Sequence, residues 1–471
     1  VHILYYVASE ICSSSMLGTF TSVRISLSIS ILFSLSIILY ISSSRTASRW
    51  STTHSLCSGT TNVSHLLFGI SSSTATWPNR RVYLSQWWKP NTTRGFVWLD
   101  SAPDANATMP PYLVSSPDWN RFTNPHVRNV SREARIIIDS FNLNLPNVRW
   151  FVMGDDDTVF FVENLASVLA EYDHNQMWYI GGNSESVEQN VRHSFSMAFG
   201  GGGFAISFPL AEKLVGVLDG CLDRYAHLYG SDERIHACIS EIGVPLSLHR
   251  GFHQFDIRGN PYGILSAHPS VPIVSVHHLD SVDPLYPNKT RVGALKTVVS
   301  SYESDPRRFL QQSVCYSRAQ NWTIAVSWGY TVQLYPFLLM PVELRRPLQT
   351  FQTWASWSVG PFTFDTREVA DPCRRPVAFM FDEWQEVGGT RVLSSYRNFG
   401  VLGGETCEDE RYAPALAVER IVVSGEKTAD CNELVRSPCC VLDETASERN
   451  KVINLHVRKC GPSEILTENV L

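Results

Sequence analysis

RWFVMGDDDTVFF, residues 149–161, decides how this chain is read. Mostly apolar residues from Trp150 to Gly154 run straight into Asp155, Asp156 and Asp157, and apolar residues resume at Val159. The apolar run predicts a buried strand. Side chains alternate along an extended segment, so Asp155 and Asp157 face one way and Asp156 the other. In an open α/β sheet, ligands bind beyond the carboxyl ends of the strands. Three adjacent carboxylates repel one another, and a divalent cation removes much of that cost. Mg²⁺ or Mn²⁺ takes oxygen ligands and leaves positions free for diphosphate oxygens. The plainer alternative is a solvated acidic turn, against which the apolar strand argues.

Outward from this stretch, strands and helices alternate. HLLFGI (65–70) and GFVWLD (95–100) read as strands, and NRRVYLSQWW (79–88) has helical spacing. SREARIIIDSFNLNL (131–145) reads as an amphipathic helix capped by Ser131, with Glu133 near its start. Helix 163–173 and strand 177–182 follow the acids. This alternation over residues 65–245 predicts an α/β sheet with a parallel core. Beyond about residue 300 the texture changes. WTIAVSWGYTVQLY (322–335), PVAFMFDEW and VINLHVRKC alternate as strands, punctuated by Pro, Gly and Cys. They predict a second, mainly β domain stapled by disulfides.

Three further segments carry chemistry. FGGGGFAIS (199–207) lets a backbone approach a ligand closely, although no Gly-Lys-Ser/Thr follows it, so it is not a Walker loop. YGSDERIHACISEIGVPL (229–246) has helical spacing from Glu233, which puts Asp232 at a helix N-terminus as a cap or a functional acid. IVSVHHLDSV (273–282) is a strand carrying His277 and His278, either of which is a candidate metal ligand.

The size and ends of the chain add context. At 471 residues it predicts more than one core, and a net charge of −6 without a long basic run argues against a nucleic-acid partner. Residues 25–41 hold twelve apolar residues, five serines and no charge, which reads as an uncleaved signal anchor, with a cleaved signal as the alternative. Residues 42–64 are rich in Ser and Thr and read as a flexible stem. Six N-x-S/T acceptors follow, at Asn62, Asn91, Asn106, Asn129, Asn288 and Asn321. Ten of the eleven Cys lie beyond the anchor without a repeated CxxC pair, so disulfides in an oxidising lumen are expected rather than zinc, with Cys221 and Cys238 a reasonable pair.

WFVMGDDDTVFFVENL, YIGG, GGGGFAIS, GSDERIHAC and VSVHHLD, in that order, resemble the fringe-like inverting β-1,3-glycosyltransferases, closest to the plant fringe-related proteins. Any one motif is weak; five in order are specific. The core resemblance covers roughly residues 65–285. It implies a GT-A-like, Rossmann-type nucleotide-sugar domain over 65–300, preceded by a tail and anchor (1–45) and a stem (46–64), and followed by a Cys-rich, mainly β domain over 301–471. It implies Asp157 as principal Mn²⁺ ligand, with Asp155 and Asp156 touching metal or ribose, and Gly201, Gly202 and Gly203 lining the donor and acceptor pocket. Asp232 matches the family's catalytic base, with Glu233 as its neighbour and rival. His277 or His278 would complete the metal site, ahead of His253 in FHQFD. The implied partners are a UDP-sugar donor and a glycan or glycoprotein acceptor, and the implied location is the Golgi membrane, type II, with the catalytic domain lumenal. Two other readings compete: a non-catalytic carbohydrate-binding protein on a transferase fold, and a metal-dependent hydrolase. The second would need further metal-spaced motifs or a carboxylate pair, and neither is visible.

Overall fold

The computed structural model describes residues 61–103, 110–122, 124–368, 370–405, 407–427, 436–443 and 451–467. The candidate anchor at 25–41, most of the candidate stem and Asn106 lie outside the described residues. Among the described residues no helix is long and apolar enough to cross a membrane.

The first layer is a seven-stranded sheet. Its strands are β1 (Leu66–Ser71), β2 (Gly95–Leu99), β3 (Tyr112–Val114), β4 (Trp150–Asp155), β6 (Tyr179–Gly181), β7 (Phe204–Ser207) and β8 (Leu246–Leu248), in the order β3-β2-β1-β4-β7-β6-β8. Neighbours from β3 to β4 are parallel, and β1 is buried from Leu66 to Ile70 because helices cover both faces. The acid-ended strand pairs with β1 from Leu66↔Trp150 to Ser71↔Asp155.

The parallel core expected from the sequence holds for these strands and again for β6 with β8, and β7 alone is reversed. β7 runs antiparallel to both β4 and β6. This reversal matters for the site. Phe204, the first residue of β7, sits opposite Met153 near the end of β4. The glycines that precede β7 therefore arrive at the same sheet edge as the three aspartates.

Two helices pack against this sheet near that edge, α1 (Trp77–Trp87) and α2 (Pro125–Asn142). The expected start of α2 at Ser131 is corrected: the helix begins six residues earlier, at Pro125, whose fixed φ and missing N–H suit a first turn. Ser131 is instead buried inside the helix, where its hydroxyl accepts from Arg234 Nη1 at 3.1 Å. After β4 come β5 (Val159–Phe160) and α3 (Val162–Leu169), then, past β7, α4 (Ser231–Ile242). A small sheet of β5, β11 (Ser275–His277) and β9 (Phe252–Gln254) lies beside the acids, with β11 central.

The C-terminal half is a closed eight-stranded barrel. Its strands are β12 (Gln312–Ser317), β13 (Trp322–Ser327), β14 (Thr331–Tyr335), β16 (Val377–Val387), β17 (Arg391–Val401), β18 (Arg420–Glu426), β20 (Val452–Arg458) and β19 (Cys439–Leu442). Closure removes free strand edges. Disulfide Cys315–Cys440 joins β12 to β19, the pair that closes the barrel, and Cys439–Cys460 and Cys373–Cys407 tie its loops. Cys221–Cys238 braces α4, as its spacing suggested. The two halves are not separate bodies. Helix α5 (Arg291–Ser304) crosses residue 300, and one continuous apolar core runs from Phe68 and Phe160 to Trp322 and Val423. The barrel half also returns a strand, β15 (Phe351–Thr353), to pair with β10 (Ile257–Gly259).

Candidate active site

The three aspartates separate, although by a turn rather than by strand alternation: β4 ends at Asp155, and the Thr158 N–H donates to the Asp155 carbonyl at 3.0 Å. Asp156 is buried away from its neighbours, and both its oxygens are held by protein donors: Ser72 and Thr76 hydroxyls each donate to Oδ2 at 2.7 Å, and Arg80 Nη1 to Oδ1 at 3.0 Å. Asp156 thus ties the acid turn to Ser72, Thr76 and Arg80. Arg80 also reaches Asp157 Oδ2 at 3.4 Å and Asp280 at 3.7 Å, so one guanidinium spans the acid loop. In the sequence Arg80 was only one polar residue of a helix, with nothing to distinguish it from Arg81.

Asp155 and Asp157 turn the other way and meet His277. Nε2 of His277 lies 3.1 Å from Asp157 Oδ1 and 3.8 Å from Asp155 Oδ2. One donor atom from each of the three residues fits within 4.8 Å of the others, close enough to share a metal ion. Burial opposes ionisation of Asp157, but His277 and Arg80 hold its carboxyl well below the ordinary range. Asp155 moves in the opposite direction: burial, then the charges of Asp157 and Glu133, push it well above its ordinary value. The two carboxyls are therefore coupled, the ionised Asp157 opposing ionisation of Asp155.

Whether these residues suit a cation is tested by their orientation. His277 Nδ1 is 3.1 Å from Gln254 Oε1, and Gln254 Nε2 donates to Asp256 Oδ1 at 3.0 Å. A carboxylate can only accept, so the amide is oriented with its oxygen towards the imidazole, and His277 carries its proton on Nδ1. A proton on Nδ1 leaves Nε2, which contacts Asp157 Oδ1 at 3.1 Å, as the nitrogen that can exchange that hydrogen bond for a cation, the arrangement that second-shell partners impose on metal-binding histidines. Asp157 Oδ2 is buried with no hydrogen bond, its contact with Arg80 being an ion pair only. One nitrogen and two carboxylates fit Mn²⁺ or Mg²⁺ and leave coordination positions open.

His278 does not join this group. Its φ of +63° takes it out of the β11 conformation, and its ring stacks on Trp354 with centroids 4.7 Å apart and planes 3° apart. Its Nδ1 lies 2.9 Å from Asp256 Oδ1. Offered by the sequence as an equal candidate, His278 sits behind the site. His253 points through the other face of β9, towards Glu185 Oε1 at 2.6 Å.

The glycine loop lies between the candidate metal group and Asp232. Thr158 donates its hydroxyl to the Gly201 carbonyl at 2.7 Å, and Ser275 donates to that of Gly202. A Cβ on Gly201 would fall 2.1 Å from His277 Cε1, so no side chain fits there. On the far side, the Gly200 N–H donates to Asp232 Oδ2 at 3.1 Å. Asp155, Gly200 and Asp232 line one small cavity of about 30 Å³, together with Ser71, Glu133 and Ser231.

Asp232 is the second helical residue of α4, not its cap, which is Gly230. Burial raises its pKa above the ordinary carboxylate value, against the backbone N–H groups of Gly200 and Glu233. Glu233 is engaged elsewhere. It accepts from the Tyr229 and Gly230 N–H groups at 2.7 and 2.9 Å and lies 2.7 Å from His193 Nδ1. Burial opposes it, but the Gly230 N–H and His193 hold its carboxyl below the ordinary range. Of the two acids, Asp232 is the one that lines the cavity. Arg234 fixes the helix start: fully buried, it donates to the carbonyls of Ala226, Leu228 and Val127 and to Ser131.

Among solved structures, the chain is similar to a glycosyltransferase involved in the glycosylation of the major capsid of PBCV-1, at 10% identity over 49% of this chain and 98% of that one, with a TM-score of 0.27. A family model described as "Protein of unknown function, DUF604" matches residues 189–440, which include the glycine loop, Asp232, His277 and most of the barrel. With more than half its length matched, the chain belongs to the DUF604 family.

Proposed function

We propose that this protein is a metal-dependent inverting glycosyltransferase that moves a hexose or N-acetylhexosamine from a UDP-sugar to a hydroxyl of a glycan or glycoprotein, in β-1,3 linkage. The observation that carries the reading is the placement of Asp155, Asp157 and His277 on one side of the glycine loop and Asp232 on the other, with Asp155 and Asp232 lining one cavity. The donor class and the linkage rest on the motif resemblance.

Asp155, Asp157 and His277 would hold the cation, which when bound offsets the charge of the departing diphosphate. Asp232 takes the proton of the acceptor hydroxyl at a carboxylate oxygen. The freed oxygen forms its bond to the anomeric carbon as the bond from that carbon to the diphosphate oxygen breaks, and a single displacement inverts the centre. A carboxyl whose pKa is raised by burial is a stronger base once ionised, which suits that step. The glycine loop brings the backbone close to both partners without a side chain in the way.

A Golgi location, with a single N-terminal anchor and the body in the lumen, belongs to the same proposal. It is supported by the apolar run at 25–41 and by the disulfides. The acceptor asparagines at 62, 91, 129, 288 and 321, all exposed, also support it.

The test is release of UDP by the purified protein from a panel of UDP-sugars with Mn²⁺, with and without chelator, beside Asp157→Ala. Release that needs the metal and disappears in the variant is expected. Calorimetry showing that the protein takes up neither Mn²⁺ nor UDP would end the proposal, and glycan binding indifferent to chelator would favour a non-catalytic lectin.

A further inference from the structure

FQTWASWS, residues 351–358, comes from the barrel half of the chain, yet it builds the wall behind His277. β15 pairs antiparallel with β10, with Gln352 opposite Arg258. Beyond β15, Trp354 lies flat on His278, whose ring is 4.0 Å from that of His277. The Arg258 guanidinium sits 3.7 Å from the Trp354 ring centroid and 4.9 Å from that of Trp357. An unbroken stack thus leads from the candidate metal group to the surface, in the order His277, His278, Trp354, Arg258, Trp357.

Trp357 has two features that packing alone does not explain. It is 59% exposed, and its φ is +54°, a left-handed conformation that is an outlier for a bulky residue. Strain of this kind persists only where surrounding structure imposes it, and it gathers at ligand sites. Here the loop is imposed by hydroxyl bonds of Thr353 to Ser356 and Ser358 at 2.6 and 3.1 Å, and by the Ser356 N–H donating to Glu188 at 3.3 Å. Arg258 makes no hydrogen bond or ion pair among the described residues, and its Nε is buried without a partner. A cation held between two indoles keeps the outer one in place.

We propose that Trp357 is the platform on which a sugar ring of the acceptor stacks, so that the acceptor is recognised as a carbohydrate. A pyranose has an apolar C–H face and a rim of hydroxyls. The open indole face matches the first, and the Arg258 N–H groups with the Ser356 and Glu188 side chains supply donors and acceptors for the second. A protein-docking surface would need an apolar patch of at least a few hundred Å². On this loop only Trp357 and its neighbour Val359 are exposed large apolar residues. The proposal rests on the transferase reading for calling the bound sugar an acceptor, and stands apart from it for the binding itself.

The experiment is calorimetric titration of wild type, Trp357→Ala, Trp357→Phe and Arg258→Ala with cellobiose, chitobiose, lactose, xylobiose and a galactosylated glycopeptide, with melting curves to confirm folding. Mn²⁺ and UDP are titrated into the wild type in parallel. We expect at least one sugar to bind, with Trp357→Ala weakening it by about tenfold or more, Trp357→Phe retaining most of the affinity and Arg258→Ala falling between. Equal binding by wild type and Trp357→Ala, or no sugar bound by a wild type that does take up Mn²⁺ and UDP, overturns the platform and leaves the transferase reading intact. Sugar binding through Trp357 without uptake of Mn²⁺ or UDP does the reverse. Tight binding of the glycopeptide alone, lost in Trp357→Ala, assigns the platform to protein-linked glycans.

Discussion

Gln254 Oε1 lies 3.1 Å from His277 Nδ1, and this contact decides which imidazole nitrogen faces Asp155 and Asp157. With a proton fixed on Nδ1 the ring can give up the one at Nε2, beside Asp157 Oδ1, to a cation, and without Gln254 the neutral ring can keep it there instead. Gln254→Ala is therefore expected to weaken Mn²⁺ binding by roughly 10–100-fold, the usual cost of losing a partner of this kind. Titration of Mn²⁺ monitored by calorimetry measures it, and unchanged affinity would contradict the assignment.

His277 and His278 are adjacent in sequence but differ in what they touch. His277→Ala should abolish measurable Mn²⁺ binding, whereas His278→Ala should leave the greater part of it, because its ring contacts Trp354 and Asp256 rather than Asp155 or Asp157. The reverse ranking in the same titration would show that the backbone turn at His278 has been misjudged.

Asp232→Asn keeps the size of the side chain and removes its basicity. Donor uptake should persist, while transfer to any acceptor should fall by about 100-fold or more, in the range expected for a general base. Single-turnover transfer compared with UDP affinity separates the two effects.

The raised pKa of Asp232 also fixes the direction of a pH effect. Base action needs the ionised carboxylate, so activity should rise with pH and be lost as pH falls through the elevated pKa. The acid limb of kcat/KM should consequently sit above the ordinary aspartate value of 3.8. A limb at or below that value in the pH–rate profile would remove Asp232 from the role.

Gly201→Ala places a methyl where the His277 ring already lies. Either the ring or the loop must move, at about 1–3 kcal/mol for an overpacked interior. Both a lower melting temperature and weaker Mn²⁺ binding are expected, measured on the same protein. Gly243→Ala is no substitute control, since its φ of +87° strains any side chain; Gly216→Ala, with its nearest neighbour 3.6 Å away, is suitable.

Legibility followed the range of the interactions. β4 was readable because its apolar run and its acids are contiguous, and α4 because Ile235, Cys238, Ile239 and Ile242 recur at helical spacing. The start of α2 was missed although Val127 and Val130 carry the spacing of Ala134 and Ile137 back towards Pro125, because Ser131 and Glu133 imitate a helix start. Arg80, Gln254, Asp256 and Arg234 were missed for another reason. Each is an ordinary polar residue in its own segment, and its importance lies in a partner more than 20 residues away or in a backbone it happens to reach.

The amino-acid sequence by itself determined the local order of elements, the acid-ended strand, the glycine loop and an acid opening a helix, because period, charge and backbone freedom act between near neighbours. Only the tertiary structure decided that β7 runs antiparallel and delivers its glycines to the aspartates, that His277 rather than His278 meets them, and that a tryptophan loop from the barrel half stacks behind the pair. Those outcomes depend on strand direction, on one positive φ and on pairing between β10 and β15. All three are set when distant segments pack against each other.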